Sequence, residues 1–158
     1  MATYSGISGS ASWLPVAEAY SAADTISTAQ PILFAYSNGV VIPARTKIRI
    51  LTSTIKIDAT AVISGETSYT LHLYTVTPPS AQANNAAWTL ASADLPSYAG
   101  SIALGTPVDL GAALYVKTGG INLDIDLATD TLWGSLVTVG AFTAAAVARQ
   151  VTLTGIVL

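Results

Sequence analysis

The chain has 158 residues, of which 51% are hydrophobic and 9% are charged, and its formal net charge is −3. This length fits one domain, and this composition excludes a disordered chain, because disorder requires few hydrophobic residues and many charges. With six basic residues and no cysteine, we predict no nucleic-acid partner, and disulfides, thiol catalysis and cysteine-bound metals are excluded.

The N-terminal residues 1–12 are rich in Ser, Gly, Ala and Thr and contain little to bury. They predict an extended arm that becomes ordered on a neighbouring protein, followed by a single β domain over residues 13–158. The first residues lack the basic and apolar regions of a signal peptide.

After the arm, short runs of β-forming residues alternate with turn residues. Asn38-Gly39 predicts a tight turn, because this pair readily adopts positive φ. The clearest strand is 46–57, where the apolar positions are even up to Ile50 and odd from Ile55. Side chains on a strand alternate strictly, so this change of parity requires a bulge between the two isoleucines.

A strand over residues 68–77 ends at two prolines, and a long polar connection follows. A short helix is predicted over 92–98 with Ser92 as its N-cap. Residues 121–127 alternate strictly between apolar and polar side chains. About eight such strands at 8–12-residue spacing, with one long connection, predict an all-β fold: an antiparallel β-sandwich of jelly-roll type.

Residues 131–148 carry no charge, and their length is near the lower limit for a membrane span. They contain Gly, Ser and Thr and begin with alternating side chains. A strand followed by an alanine-rich loop is therefore favoured, and we predict no contact with a membrane.

Few residues suit chemistry. His72 is the only histidine, and no motif brings it a nucleophile or an orienting carboxylate, so we interpret it as a strand histidine with a local hydrogen bond. Asp124 and Asp126 share a strand face, where a solvated polar face is favoured over a cation site. We predict that the chain is not an enzyme and has no catalytic residue, cofactor or metal.

Two stretches carry a family resemblance. Ala19-Tyr-Ser-Ala-Ala-Asp-Thr-Ile-Ser27 resembles a Tyr-x-x-x-Asp-x-Ile opening, and residues 74–100 resemble a Pro…Asp-Asn-Ala-Ala-Phe-x-Leu-x-x-Ala-Asp-Leu…Gly block. Both occur in a family of small tailed-phage virion proteins identified as capsid decoration (cement) proteins. Asn84 stands where Asp is expected, and Trp88 where Phe is expected. The resemblance implies a jelly-roll β-sandwich that binds an assembled shell and catalyses nothing.

The leading hypothesis is therefore a capsid decoration protein on the exterior of a phage virion, made in the host cytoplasm. Its expected partners are the major capsid protein and further copies of itself, and the resemblance implies a trimer. The sparse charge agrees, because a surface with few charges suits burial against other proteins. The candidate interface residues are Tyr4, Ile7, Trp13, Lys47, Arg49, Lys56 and Trp88.

Two other hypotheses stay open. One is a different virion role, as a tail-tube or head-fibre subunit. The other is a carbohydrate-binding jelly roll that uses Trp13, Trp88 or the pair Asp124 and Asp126.

Overall fold

The computed structural model describes residues 6–78, 80 and 82–158. Within these residues the chain forms thirteen strands and one 3-10 helix, Leu95–Ser97. The strands are β1 (Gly6–Trp13), β2 (Ala19–Tyr20), β3 (Thr25–Leu33), β4 (Ala35–Tyr36), β5 (Lys47–Ile57), β6 (Tyr69–Tyr74), β7 (Tyr98–Leu104), β8 (Val108–Asp109), β9 (Leu114–Thr118), β10 (Leu123–Asp126), β11 (Thr131–Thr138), β12 (Phe142–Thr143) and β13 (Arg149–Val157).

Two main sheets face each other across the core. In the first, which we call the open sheet, the strand order is β4-β1-β13-β5-β9-β8, with β10 also paired to β5. In the second, which we call the covered sheet, the order is β3-β11-β6-β7. The connection between β6 and β7, residues 75–97, is called the crossover; its residue Trp88 packs on the outer face of the covered sheet.

The strand order identifies the fold. Eight strands build the sandwich: β1, β3, β5, β6, β7, β9, β11 and β13. Numbered one to eight in chain order, they run 1-8-3-6 in the open sheet and 2-7-4-5 in the covered sheet. The first pairs with the eighth, the second with the seventh, the third with the sixth and the fourth with the fifth. One long hairpin is thus rolled into two sheets, which is the jelly-roll arrangement, and the predicted fold class is confirmed.

The predicted bulge in β5 is present. The ladder between β5 and β13 shifts register between Thr154 and Gly155, which leaves Leu51 as the extra residue on β5. A Cβ on Gly155 would lie 2.1 Å from the backbone oxygen of Arg49, so the bulge brings two backbones too close for any side chain. Because of the bulge, β5 buries isoleucines at even positions before Leu51 and at odd positions after it.

The predicted N-terminal arm is wrong for residues 6–12. These residues belong to β1, which pairs with β13 from Gly6 opposite Ile156 to Trp13 opposite Arg149. At Gly9 the small residue is a packing requirement, because a Cβ there would lie 2.9 Å from the Ile32 side chain. The other predicted arm residues, 1–5, lie outside the described residues.

The predicted helix over 92–98 is also shorter than expected. The helical residues are Leu95–Ser97, with Asp94 rather than Ser92 at the N-cap. The helix ends at Ser97 because the next residue, Tyr98, begins β7 and pairs with β6. None of the described residues forms a helix long and apolar enough to cross a membrane.

A buried ion pair joins the two sheets at one end. Arg149 begins β13 and is fully buried, and its Nη2 donates to Oε1 of the buried Glu66 at 2.9 Å. Arg149 Nε also donates to the hydroxyl of Tyr69 on β6 at 3.1 Å, and Nη1 donates to the carbonyl of Ala145 at 2.9 Å. Desolvation by burial raises the pKa of Tyr69 well above its usual range, so this hydroxyl stays protonated.

Candidate interaction surfaces

Two of the predicted interface residues lie in the core. Ile7 is 4% exposed and Trp13 is 0% exposed, because both are on the inward face of β1. The interpretation of these two residues as interface contacts is wrong, since a side chain packed inside the sandwich cannot reach a partner. Tyr4, the third predicted contact from the N-terminal segment, lies outside the described residues.

Two of the three predicted basic contacts lie opposite aspartates. In the ladder of β5 and β10, Arg49 stands opposite Asp124 and Lys47 stands opposite Asp126. Arg49 donates from Nε to Asp124 Oδ1 at 2.5 Å and from Nη2 to Oδ2 at 2.8 Å. The hydrogen bond from Arg49 lowers the pKa of Asp124. Both oxygens of Asp124 therefore already have a donor, so a cation at this aspartate would have to displace Arg49.

The rest of the outer face of the open sheet is mainly hydroxylic, with Lys56, Lys117, Gln150 and Ile156 among its other residues. Lys56, the third predicted basic contact, is exposed and lies 2.8 Å from Asp58 Oδ1. Hydroxyls on neighbouring strands pair across the ladder; Oγ1 of Thr52 lies 2.5 Å from Oγ1 of Thr154. The hydroxyl residues on this face are Ser8, Ser10 and Ser12 on β1, Thr52 and Thr54 on β5, and Thr152 and Thr154 on β13.

The outer face of the covered sheet carries an aromatic cluster. Trp88 of the crossover stacks on His72, with ring centroids 3.6 Å apart and planes 16° apart. The Tyr98 hydroxyl lies 3.0 Å from His72 Nδ1, and Trp88 Nε1 donates to the Tyr74 hydroxyl at 3.2 Å. Trp88, a predicted interface anchor, is therefore half-buried against its own sheet, where it fastens the crossover.

His72 stands between two serines, Ser135 of β11 and Ser101 of β7, in the ladders of the covered sheet. Burial lowers its pKa to about 4, so the ring is neutral near pH 7. Its ring stacks on Trp88, and its Nδ1 lies 3.0 Å from the Tyr98 hydroxyl. In the described part of the chain, no group of three or more His, Cys, Asp or Glu residues is arranged to hold a metal ion.

The two stretches that carry the family resemblance contact each other. Asn84 Oδ1 accepts hydrogen bonds from the Tyr20 hydroxyl at 2.7 Å and from the backbone N–H of Ser27 at 2.8 Å. Its Nδ2 donates to Glu18 Oε1 at 2.8 Å. The backbone continues the contact, since Trp88 N donates to the Ala23 carbonyl at 2.8 Å. The shared pattern is thus a clamp between the crossover and the connection from β1 to β3. An amide rather than a carboxylate stands at residue 84, next to Glu18.

A cavity of about 220 Å³, with a mixed polar and apolar lining, lies between the crossover and the covered sheet. Tyr74 and Ser135 project from the sheet, and Asp94, 2% exposed, enters from the crossover. Asp94 Oδ1 accepts from the backbone N–H of Ser80 at 3.1 Å. Burial raises the pKa of Tyr74, and the nearby Asp94 carboxylate adds to this, whereas the hydrogen bond from Trp88 opposes it. Sequence analysis missed this site because its members come from distant strands.

Six of the twelve large apolar side chains that are exposed in the described residues lie on the connections at one end of the sandwich. This end carries the connections β1–β3, β5–β6, β7–β9 and β11–β13. Pairing of β2 with β12 joins the first and last of these connections, and Gly65 contacts Ala141 between the second and the last. We call this surface the apolar end; its exposed members are Leu14 (58%), Val16 (55%), Val62 (51%), Val108 (55%), Leu110 (65%) and Val139 (50%).

Sequence analysis missed the apolar end as well. A signal was available in Leu14-Pro15-Val16 and in Pro107-Val108-Asp109-Leu110-Gly111, where apolar residues stand inside turn segments rather than in alternating runs. Acidic residues also stand on these connections, of which Asp58 and Asp109 are exposed, whereas Arg149 at the start of β13 is fully buried. Among the described residues no second layer covers these six apolar side chains, of which Val108 belongs to the edge strand β8 and the others to loops.

Comparison with known proteins leaves the family open. No family model matches the chain, and no curated protein matches it. Among solved structures, the chain is similar to a chain of the cyanophage Pam1 capsid asymmetric unit, with 18% identity and a TM-score of 0.36, covering 99% of this chain and 86% of that one.

Two further structures are less similar. A lipoprotein from Bacteroides thetaiotaomicron has 9% identity and a TM-score of 0.31, covering 98% of this chain and 84% of that one. The empty capsid of Triatoma virus has 10% identity and a TM-score of 0.26, covering 99% of this chain and 86% of that one. Likenesses at this level carry no conclusion about function.

Proposed function

We propose that this chain is a structural protein of a virion, a capsid decoration protein that binds the exterior of an assembled phage shell. The observation that carries the proposal is the apolar end. Six large apolar side chains, each at least half exposed, stand there on four connections. Exposed apolar clusters of this kind are typical of surfaces that bind other proteins.

The jelly-roll order supports the proposal without deciding it. This arrangement occurs in viral capsid proteins, and it also occurs in lectins and cupins. The sandwich presents its loops at two ends, so a jelly roll can stand on a shell by one end and leave its sheet faces to solvent. The resemblance of residues 19–27 and 74–100 to decoration proteins points the same way.

The geometry changes which residues we propose as contacts. Arg49 and Lys56 already hold carboxylates of this chain, so they are poor candidates for an acidic patch on the shell. Ile7 and Trp13 are buried in the core and cannot contact the shell. We propose that Leu14, Val16, Val108 and Leu110 replace them as the principal contacts with the major capsid protein.

The test is co-sedimentation of the full chain with assembled shells of a tailed-phage major capsid protein. Val16→Asp and Leu110→Asp place a charge on the apolar end, and we expect each to reduce shell binding at least tenfold. Leu95→Asp is the matched control, because Leu95 is 56% exposed but lies on the crossover. We expect this control to bind as the parent chain does.

Two results would contradict the proposal. One is full occupancy of the shell by both apolar-end variants. The other is the formation of rings or tubes by the purified chain without a shell, seen by electron microscopy, which would favour a tail-tube subunit. Light scattering of the same samples measures whether the chain forms the expected trimer.

A further inference from the structure

We propose that the cavity between the crossover and the covered sheet is a binding site for one neutral sugar ring, a function separate from shell binding. The cavity has a volume of about 220 Å³. This volume is below the range of drug-sized pockets, which begins at about 300 Å³, and it suits a single ring rather than a longer molecule.

The lining selects for a neutral, hydroxyl-rich ligand. One carboxylate comes from Asp94, an amide comes from Gln82, Ala29 and Pro78 add apolar surface, and the remaining lining residues carry hydroxyls: Thr28, Tyr74, Thr77, Ser80, Thr89 and Ser135. Hydroxyls both donate and accept, whereas a carboxylate only accepts, so this set matches the vicinal hydroxyls of a sugar. The described lining contains no basic side chain, which disfavours phosphates, sulfates and carboxylates.

The polar groups are held in place before a ligand arrives. Gln82 Nε2 donates to the Thr89 carbonyl at 2.7 Å, and Gln82 Oε1 lies 3.1 Å from the Thr25 hydroxyl. The Tyr74 hydroxyl is held by Trp88, and the buried Asp94 is held by the backbone of Ser80. Side chains fixed in this way lose little conformational entropy on binding, which favours affinity for a small ligand.

An ammonium group, such as a lysine side chain, is the main competing ligand for a buried carboxylate. It would pair with Asp94 but could use the remaining hydroxyls only as acceptors, since it carries three donors and no acceptor. A sugar ring uses both functions of the same hydroxyls. The carboxyl-plus-hydroxyl composition therefore favours the sugar.

The test is ligand-observed NMR on the full chain with three probes: a panel of neutral methyl glycosides, methylammonium, and sialic acid as an anion. We expect saturation transfer to at least one glycoside at about 10 mM ligand, and none to sialic acid. Asp94→Asn keeps the shape of the side chain and removes its charge. It is expected to weaken glycoside binding about tenfold or more, the usual loss for a hydrogen bond to a charged group.

Thr89→Val provides a second variant in case Asp94→Asn fails to fold, because Thr89 is exposed and valine has nearly its shape. Thr52→Val, on the open sheet, is the matched control and should bind as the parent chain does. The proposal is overturned if no glycoside gives a signal, if methylammonium binds in place of the glycosides, or if both pocket variants bind glycoside normally. Shell binding involves other residues, so either proposal can fail alone.

Discussion

The two sheets present very different outer faces, although their strands have similar alternating sequences. On the open sheet, most outward side chains are serine and threonine hydroxyls in contact with solvent, together with one cross-strand ion pair, Arg49 with Asp124. On the covered sheet, the outward residues His72 and Tyr74 are buried under the crossover, with exposures of 9% and 3%. The open sheet therefore buries only its inner face. The covered sheet buries both of its faces where the crossover lies over it.

This difference determines where a polar contact contributes to the stability of the fold. On the open face, water competes for every hydrogen bond, so individual contacts contribute little. Under the crossover, the same kinds of contact are shielded from water, and a lost partner leaves a polar group unsatisfied. We therefore expect substitution effects to fall from the buried junction of the sheets, through the crossover, to the open face.

The largest effect is expected at the junction of the two sheets. Arg149→Met leaves the Glu66 carboxylate buried without its cation, which should lower the free energy of unfolding by about 3–5 kcal/mol. Urea denaturation followed by tryptophan fluorescence measures this loss. Arg149→Met combined with Glu66→Gln should recover part of it, because no buried charge remains. A loss below about 1 kcal/mol in the single variant would show that the ion pair does not hold the sheets together.

A smaller effect is expected at the clamp that holds the crossover. Asn84→Asp brings a carboxylate against Glu18 in place of the amide donor, and should cost about 1–3 kcal/mol at pH 7. Adding Glu18→Gln supplies a new amide donor, so the double variant should regain most of this stability. Equal stability of the single and double variants in urea would rule out the Glu18 contact as the cause.

The covering of His72 gives a pH-dependent prediction. Burial lowers its pKa from 6.5 to about 4 in the folded chain. As the pH falls from 6.5 towards 4, the unfolded chain takes up the proton first, so His72 makes the folded state less stable across this window. NMR titration of the single histidine should show a midpoint near 4.

Removing the cover should reverse this shift. In Trp88→Ala the midpoint of His72 should move towards 6.5, because the stacked ring that excludes water is gone. Lys56→Ala, on the open sheet, serves as the control and should leave the midpoint unchanged. A normal midpoint in the parent chain would mean that the crossover does not cover His72 in solution.

The smallest effect is expected on the open face. Arg49→Ala should leave the urea midpoint close to that of the parent chain, because the ion pair with Asp124 is solvent-exposed. The pKa of Asp124 should nevertheless rise towards its ordinary value, since the hydrogen bond from Arg49 is what lowers it. NMR titration measures the pKa of Asp124 separately from the stability of the fold. A large loss of stability in Arg49→Ala would contradict the difference proposed between the open face and the covered face.

The candidate sites were only partly predictable. Strand alternation placed Asp124 and Asp126 on an outward face, and Arg49 on the outward face of another strand, but it could not tell that β10 lies beside β5. Trp13 follows a segment of small residues that resembles an arm, so its burial was missed. The apolar end and the sugar-sized cavity combine residues from four or more segments, and no local pattern contains them.

The sequence by itself determined most of the strands, the bulge in β5, the all-β class and the scarcity of charge, because these depend on neighbouring residues and on composition. It did not determine β1, whose small residues indicated an arm. Only the tertiary structure decided which faces are covered and which residues meet. Thr52 and Thr154, for example, touch across 102 residues of chain. Such contacts arise when the rolled hairpin closes, and closure depends on the packing of the whole sandwich rather than on the local propensity of any segment.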